Sequence, residues 1–246
     1  MNHSSLSVIV PCYNESSVIY ATLKNIADFL YRQGVLFEII PVDDGSTDRT
    51  STEIKRAQQD LPHITINPIY NTVNHGKGQA VKDGVMQSQY DVIVFIDADL
   101  TVSIKELEVF LPELANHDII IASRALVKTH FEESNPWYRT CLAKGFRFFQ
   151  FIILGRTRIK DTQCGFKVFK KDIAKHIFAK ITIQRFAFDA EALFVARKFK
   201  YSIRQLPVTI HKDTRQSHVN AILDPINMIF ALLKIRINDI RGLYND

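Results

Sequence analysis

The chain of 246 residues predicts an α/β fold, a mostly parallel central sheet with helices on both faces. Three observations carry that expectation. Apolar runs such as Val92-Ile-Val-Phe-Ile96 are short and continuous rather than alternating, as in strands buried on both faces. Strand-like and helix-like segments alternate at least four times, the pattern of βαβ units. Acidic or polar clusters follow the strand candidates directly, at the edge where open α/β sheets bind ligands.

The elements follow in order. Leu6 to Val10 is a strand candidate stopped by Pro11. Asn14-Glu-Ser-Ser17 offers capping residues, and Ile19, Leu23, Ile26 and Leu30 then recur at helical spacing up to Gly34. Phe37 to Val42 is a second strand, running into the polar turn Asp43-Asp-Gly-Ser-Thr-Asp48, which can cap the next helix. Ile64 to Ile66 and Ile69 mark a weak third strand near Pro68, and Asn74-His-Gly-Lys-Gly78 opens a helix through Val85. Val92 to Ile96 leads into Asp97-Ala98-Asp99. Ser103-Ile-Lys-Glu106 reads as a capping box for a helix through Leu114. Ile119 to Ala122 is a further strand ending at Ser123-Arg124. Beyond it the chain turns aromatic and basic, and Phe146 to Leu154 is apolar apart from Arg147 and Gln150, too short to cross a bilayer and more like an interfacial or core segment. Near the end, Asp224-Pro225 starts a helix whose Ile226, Phe230, Leu233, Ile237 and Ile240 form one stripe, with Lys234, Arg236 and Arg241 off it. Such a helix lies on a membrane surface or packs on protein.

Composition narrows the classes. With 46% hydrophobic and 23% charged residues the chain is ordinary globular protein. A net charge of +5 suits a nucleic acid, an anionic membrane surface or phosphorylated small substrates without choosing among them. The basic residues are spread along the chain with no nucleic-acid motif among them, so no nucleic acid is expected as partner. Cys12, Cys141 and Cys164 lack metal-type spacing and suggest a reducing compartment. The first residues lack the features of a signal peptide, and no run of 18 apolar residues predicts a membrane span. Gly76-Lys77-Gly78 lacks P-loop spacing, and no G-x-G-x-x-G follows the first strand.

Asp97 and Asp99, one residue apart at a strand end, repel each other unless a positive charge joins them. A Mg²⁺ or Mn²⁺ ion carrying substrate phosphates answers that need, and a solvated acidic turn is the plain alternative. On their own, Asn14 and Glu15 read first as caps, and Asp43 and Asp44 serve equally as turn residues. Their joint position after consecutive strands favours one ligand site.

Val10-Pro-Cys-Tyr-Asn-Glu15, Val42-Asp-Asp-Gly-Ser-Thr-Asp48, Asn74-His-Gly-Lys-Gly78 and Asp97-Ala-Asp99 together resemble the GT-A fold of family 2 glycosyltransferases. Ala122-Ser-Arg124, Asp161-Thr-Gln-Cys-Gly-Phe-Lys167 and Phe186-Ala-Phe-Asp-Ala-Glu191 are similar to the branch acting on polyprenyl phosphates, especially dolichyl-phosphate β-glucosyltransferases. The resemblance implies an inverting hexosyltransferase, with UDP-glucose the first donor and dolichyl or undecaprenyl phosphate the acceptor. GDP-mannose or UDP-N-acetylglucosamine as donor, or a soluble glycan acceptor, are the alternatives. A nucleotide-binding module without catalysis is the reading from another class.

By the same resemblance, residues 1–218 form the catalytic domain, 1–124 its nucleotide-sugar half and 125–218 its acceptor half, and 219–246 the amphipathic helix. Pro11, Tyr13, Glu15 and Lys77 would border the nucleotide-sugar, with one of Asp43 or Asp44 on the base. Asp97, Ala98 and Asp99 would hold ribose and diphosphate, the two acids through the metal. Arg124 and Arg139 would grip the acceptor phosphate, Asp161 would act in catalysis or orient the sugar, and Asp189 and Glu191 would lie on the acceptor side. The catalytic set implied is thus Asp161, Asp99 and Arg124. Relatives commonly carry Ser-Lys where this chain has Ser217-His218, so Arg215 or a protonated His218 would take that lysine's place on the acceptor phosphate. Reliance on His218 would make activity fall as pH rises above about 6.5. The protein is expected to attach peripherally to the cytoplasmic face of a membrane.

Overall fold

The structure, a computed structural model, describes residues 5–126, 129–131, 137–155, 157–211 and 223–245. The continuous apolar runs lie in the middle of one sheet. Its first strands are β1 (Leu6–Cys12), β2 (Phe37–Asp44), β3 (Thr65–Ile66), β4 (Ile69–Asn71) and β5 (Val92–Ile96). Between them run α1 (Ile19–Arg32), α2 (Thr50–Asp60) and α3 (Lys77–Gln87). A single 3-10 turn at Ile104–Glu106 leads into α4 (Leu107–Glu113), and β6 (Ile119–Ala122) and β7 (His130–Phe131) follow. The remainder comprises α5 (Trp137–Leu154), β8 (Phe166–Lys170), α6 (Lys171–Lys180), α7 (Phe188–Lys198), β9 (Ile203–Leu206), β10 (Thr209–Ile210) and α8 (Leu223–Ile240).

The strand order is β3-β2-β1-β5-β8-β6-β9, with β4 beside β2 and a separate pair β7-β10. All pairings in the main sheet are parallel except those of β8, which runs antiparallel between β5 and β6. Alternate residues of each strand face two separate cores. Val8, Val94 and Phe166 pack with α1, α2 and α4, while Ile9, Phe95 and Phe169 pack with α3, α6, α7 and α8. Helices therefore cover both faces, and each buried aliphatic or aromatic side chain contributes about 1.5–3 kcal/mol.

Three local expectations change. β1 continues past Pro11 to Cys12; only the β2 ladder runs beside Pro11, β5 having parted after Ile9, so the missing N–H forfeits little. Asn14 to Ser17 do not cap α1, whose N-cap is Val18 without a side-chain bond. The capping box is half formed. Ser103 Oγ accepts from Lys105 N at 3.3 Å, but Glu106 reaches across to accept from Thr209 N at 3.1 Å.

The C-terminal helix differs more. Its packing face is Met228, Ala231, Leu232, Ile235 and Asn238, set against α5, α7 and the core. The stripe read from the sequence faces outward, with Phe230 65% and Ile240 74% exposed. Helix α8 is thus apolar on two sides. On its neighbour α5 the sequence pattern is also inverted. The polar exception Gln150 is buried, donating to Thr162 Oγ1 at 3.1 Å, while Phe148, Phe149, Phe151 and Ile152 are exposed.

Candidate active site

The parallel strands β1, β2 and β5 deliver their C-terminal tips to one edge, and the loops there are fastened to one another. Asn14, at φ 55°, donates through its N–H to Ser46 Oγ at 2.8 Å and accepts from Thr47 N at 2.8 Å. Glu15 N donates to Thr50 Oγ1 at 2.8 Å and Ser16 N to Asp48 Oδ2 at 3.1 Å. Asp48 also accepts from Thr50 N at the start of α2, whose N-cap, Arg49, makes no side-chain bond. Pro11 is buried at the end of β1 and Tyr13 is partly exposed at the mouth.

Asp43 and Asp44 are both buried yet differ in use. Asp44 accepts from Gly76 N at 2.6 Å and from His75 N and Asn71 Nδ2 at 3.1 Å each. It holds the turn before α3, where Gly76 sits at φ +105° against Gln184 O and a side chain would clash. Asp43 accepts only Ser46 N, at 3.0 Å, among the described bonds, and keeps acceptor capacity for a ligand. Burial, then the charges of Asp43, Glu15, Asp44 and Asp48, push the Cys12 thiol well above its ordinary range. The thiol is buried and donates to Val42 O at 3.3 Å.

At the tip of β5, Thr22 Oγ1 of α1 donates to Ala98 O at 2.5 Å and pins the Asp97-Ala-Asp99 turn. Asp99 Oδ1 accepts from Thr101 N at 2.9 Å. Asp97 lies flat against Gly165, where a Cβ would stand 1.8 Å from its Oδ2. Its Oδ1 has Lys77 Nζ at 2.5 Å but no hydrogen bond of good angle. Burial opposes the charge on Lys77, yet Asp97, Asp189 and Asp99 together raise its pKa above the usual lysine value. No group of three or more His, Cys, Asp or Glu positioned for a metal occurs among the described residues. Two carboxylates and an under-bonded Oδ1 suit a cation that completes its shell with ligand phosphates and water.

Arg124 and Asp161 form a two-pronged ion pair, Nε to Oδ2 at 2.7 Å and Nη2 to Oδ1 at 3.0 Å. Asp161 further accepts from Arg124 N and Gln163 N, each at 3.0 Å. Four donors saturate that carboxylate. Burial would raise the Asp161 pKa, but the bonds and charge of Arg124 hold it below the ordinary range. Burial likewise works against the Arg124 charge, and Asp161, then Cys164 and Asp97, raise its pKa instead. Arg124 follows β6, which ends on the other side of β8 from β5, so the arginine lies two strands from the Asp97 tip.

The run Asp161 to Lys167 is thus a brace. Asp161 holds Arg124, Thr162 bonds Gln150 of α5, and Gly165 makes room for Asp97. Lys167, 1% exposed, donates to Asp189 Oδ1 and to Cys164 O at 2.5 Å each, under the Phe95 ring. Burial pushes the Asp189 carboxyl up against the attraction of Lys167 and Lys77.

The structure therefore brings Pro11, Tyr13, Glu15, Asp43, Asp44, Lys77, Asp97, Ala98, Asp99, Arg124 and Asp161 to the strand tips or the brace. Asp189 and Glu191 are buried and engaged within the protein, Asp189 with Lys167 and Glu191 with the 182–183 backbone. Asp189 acts on Lys77, and Glu191 accepts from Thr182 N and Ile183 N beneath the segment that supports α3. Arg139 falls on α5 at a position whose side chain lies outside the described residues, as do Arg215 and His218 altogether. Sequence reading gives no role to Lys167, because a lysine between Phe166 and Val168 reads as the solvent side of a half-exposed strand, and only the structure shows it buried on Asp189.

Comparison with known proteins agrees with this arrangement. The sequence profile described as Glycosyl transferase family 2 matches residues 7–178. Dolichyl-phosphate beta-glucosyltransferase of Saccharomyces cerevisiae is 32% identical over 98% of this chain and 77% of its own length. That of Dictyostelium discoideum is 31% identical over 97% and 76%. Among solved structures, mannosyl-3-phosphoglycerate synthase from Rubrobacter xylanophilus superposes with a TM-score of 0.70 at 16% identity, covering 97% of this chain and 74% of that one. Glucosyl-3-phosphoglycerate synthase from Mycobacterium tuberculosis with UDP gives 0.67 at 17%, covering 95% and 80%. The same enzyme has been crystallised with Mn²⁺, UDP-glucose and phosphoglyceric acid. With the GT-A fold shared and the profile covering well over half its residues, this chain belongs to glycosyl transferase family 2.

Proposed function

We propose that the protein moves glucose from UDP-glucose onto dolichyl phosphate, inverting the anomeric centre. The observation that carries this reading is the placement of Arg124 at the end of β6, two strands from the Asp97-Ala-Asp99 tip, the two joined through the 161–167 brace. A donor diphosphate at the acids and an acceptor phosphate at the arginine would then meet across one sugar. The dolichyl-phosphate beta-glucosyltransferase relatives support the acceptor, and the UDP-glucose bound in a fold neighbour supports the donor.

The residues take the following roles. Asp43 hydrogen-bonds the base, with Pro11, Tyr13 and Glu15 around it, while Asp44 holds the Gly76 turn. Asp97 and Asp99 hold Mg²⁺ or Mn²⁺, which as a Lewis acid stabilises the departing diphosphate when bound. Lys77 lies at the same acids and serves the donor phosphates. Arg124 fixes the acceptor phosphate by its planar fork, and Asp161 positions Arg124. Asp161 does not act as a base, because its lone pairs are taken up. None is needed, since a phosphate monoester with a second pKa of about 6 is anionic at neutral pH. Its oxygen attacks C1 of glucose, a C1–O bond to the lipid phosphate forms, and the C1–O bond to UDP breaks with its electrons. A β-linked product from an α-linked donor requires that inversion. The protein's contribution is to place oxygen and carbon in line.

For the lipid, α5 and α8 pack side by side and turn Phe148, Phe151, Ile152, Phe230, Ile237 and Ile240 outward. No described helix is long and apolar enough to cross a membrane. This double-helix face with Lys234 and Arg241 on its flank suits shallow attachment at the cytoplasmic side of a membrane. The test is incubation of purified protein with labelled UDP-glucose, GDP-mannose or UDP-N-acetylglucosamine and dolichyl or undecaprenyl phosphate. Labelled glucosyl-dolichyl phosphate, lost with EDTA and in Asp99→Ala, is the expected product. Transfer only to water-soluble acceptors would reject the lipid, and full activity in Asp99→Ala would reject the metal assignment.

A further inference from the structure

We propose, on the donor-site reading above, that Tyr244, just beyond α8, is a positioning residue for the donor site. It acts on Lys77 through Glu191 and the segment 181–185. Lys77 is the first residue of α3 and stands between two glycines that press on that segment. A Cβ on Gly76 would lie 2.7 Å from Gln184 O, and one on Gly78 2.6 Å from Ile183 O. Gln79 N, in the first turn of the helix, donates to Gln184 O at 3.0 Å. The start of α3 is therefore seated on the 183–184 carbonyls and moves with them.

No strand or helix fixes those carbonyls, since the segment joins α6 to α7 without regular secondary structure. Glu191 fixes them instead. Its fully buried carboxylate accepts from Thr182 N at 2.9 Å, Ile183 N at 2.7 Å and Thr182 Oγ1 at 2.9 Å. The fourth donor is the Tyr244 hydroxyl, itself fully buried. Asn238 of α8 completes the cluster, donating to Thr182 Oγ1 at 2.8 Å. Burial, then Glu191, push the Tyr244 pKa above the ordinary tyrosine range, so the hydroxyl keeps its proton and its part as donor. Without that donor, Glu191 holds an unmet lone pair in a dry site, and its grip on residues 182 and 183 changes. A small displacement there reaches the Lys77 ammonium, which has to meet the donor phosphates at hydrogen-bond distance.

The test compares full-length wild type with Tyr244→Phe, which keeps the ring and removes only the hydroxyl. Calorimetry follows UDP binding with Mn²⁺ present, and transfer to dolichyl phosphate gives KM for each substrate. Tyr244→Phe should weaken UDP and raise the UDP-glucose KM about fivefold, with KM for dolichyl phosphate unchanged. Leu232→Val trims the buried face of α8 away from the cluster, and should lower the melting temperature by a similar few degrees without moving either donor quantity. In a Lys77→Met background, adding Tyr244→Phe should change UDP affinity by less than about twofold, because the path ends at that lysine. Should Tyr244→Phe not fold, Asn238→Ala takes its place. Unchanged UDP binding in the folded variant, or an undiminished effect in the Lys77→Met background, overturns the positioning role and leaves the donor site standing. Absence of UDP binding in wild type removes the donor-site reading and this role together.

Discussion

Two ion pairs flank the strand tips, Lys77–Asp97 and Arg124–Asp161, with the same charges and opposite construction. Asp161 accepts four hydrogen bonds and its partner fits it by two prongs. Asp97 has one face against a glycine and a lysine resting on the other. The Arg124–Asp161 pair is built to hold a cationic side chain still, the Lys77–Asp97 pair to leave a carboxylate available. A site that joins a mobile ion-bearing donor to a fixed acceptor phosphate needs one of each.

The largest effect should come from unfastening the rigid pair. Asp161→Asn removes the charge that aligns Arg124, and transfer should fall by about two orders of magnitude. Binding of UDP, measured by calorimetry, should stay within about threefold. Comparable loss of both would mean that the two pairs do not divide the labour. Next is Gly165→Ala, whose methyl group would displace Asp97. Overpacking of this kind costs about 1–3 kcal/mol, and the stabilisation of the fold by UDP with Mn²⁺ in thermal melts should largely disappear. The paired acids of β2 give a third contrast. Asp44→Asn should destabilise by about 1–3 kcal/mol through the His75 and Gly76 bonds, whereas Asp43→Asn should weaken UDP and leave the melt unchanged. The reverse pattern would exchange their roles.

On the outer face, Phe230→Ser with Ile240→Ser should reduce sedimentation with anionic vesicles several-fold, because each apolar side chain contributes about 1.5–3 kcal/mol when buried. The melt should not shift, both residues being exposed already. The smallest effect is acid sensitivity. The folded pKa of Asp161 lies below its unfolded value, so its stabilisation is complete above about pH 4. It is lost as pH falls through the folded value, and Asp161→Asn should flatten that low-pH limb of a melting profile.

Much of this arrangement is legible in the chain. Runs such as Val92 to Ile96 read as strands buried on both faces, and the acids after them mark the ligand edge. The helical stripe of α1 appears as read, with Ile19, Leu23, Ile26 and Leu30 buried. Other features depend on partners far away in sequence. Nothing local distinguishes Asp43 from Asp44; the amides of residues 75 and 76 do. Nothing local shows that Glu106 prefers Thr209 to its own capping box.

What the amino-acid order determined alone is the alternation of elements, the sheet they build and the family they signal, since all three rest on periodicity and short contiguous motifs. Only the tertiary structure decided which carboxylates remain available, that Asp161 positions rather than reacts, and which of the two apolar sides of α8 faces out. The reason is physical. Periodicity describes a chain against a generic core, whereas the use of a lone pair or a helix face is set by the particular atoms that arrive beside it from distant segments.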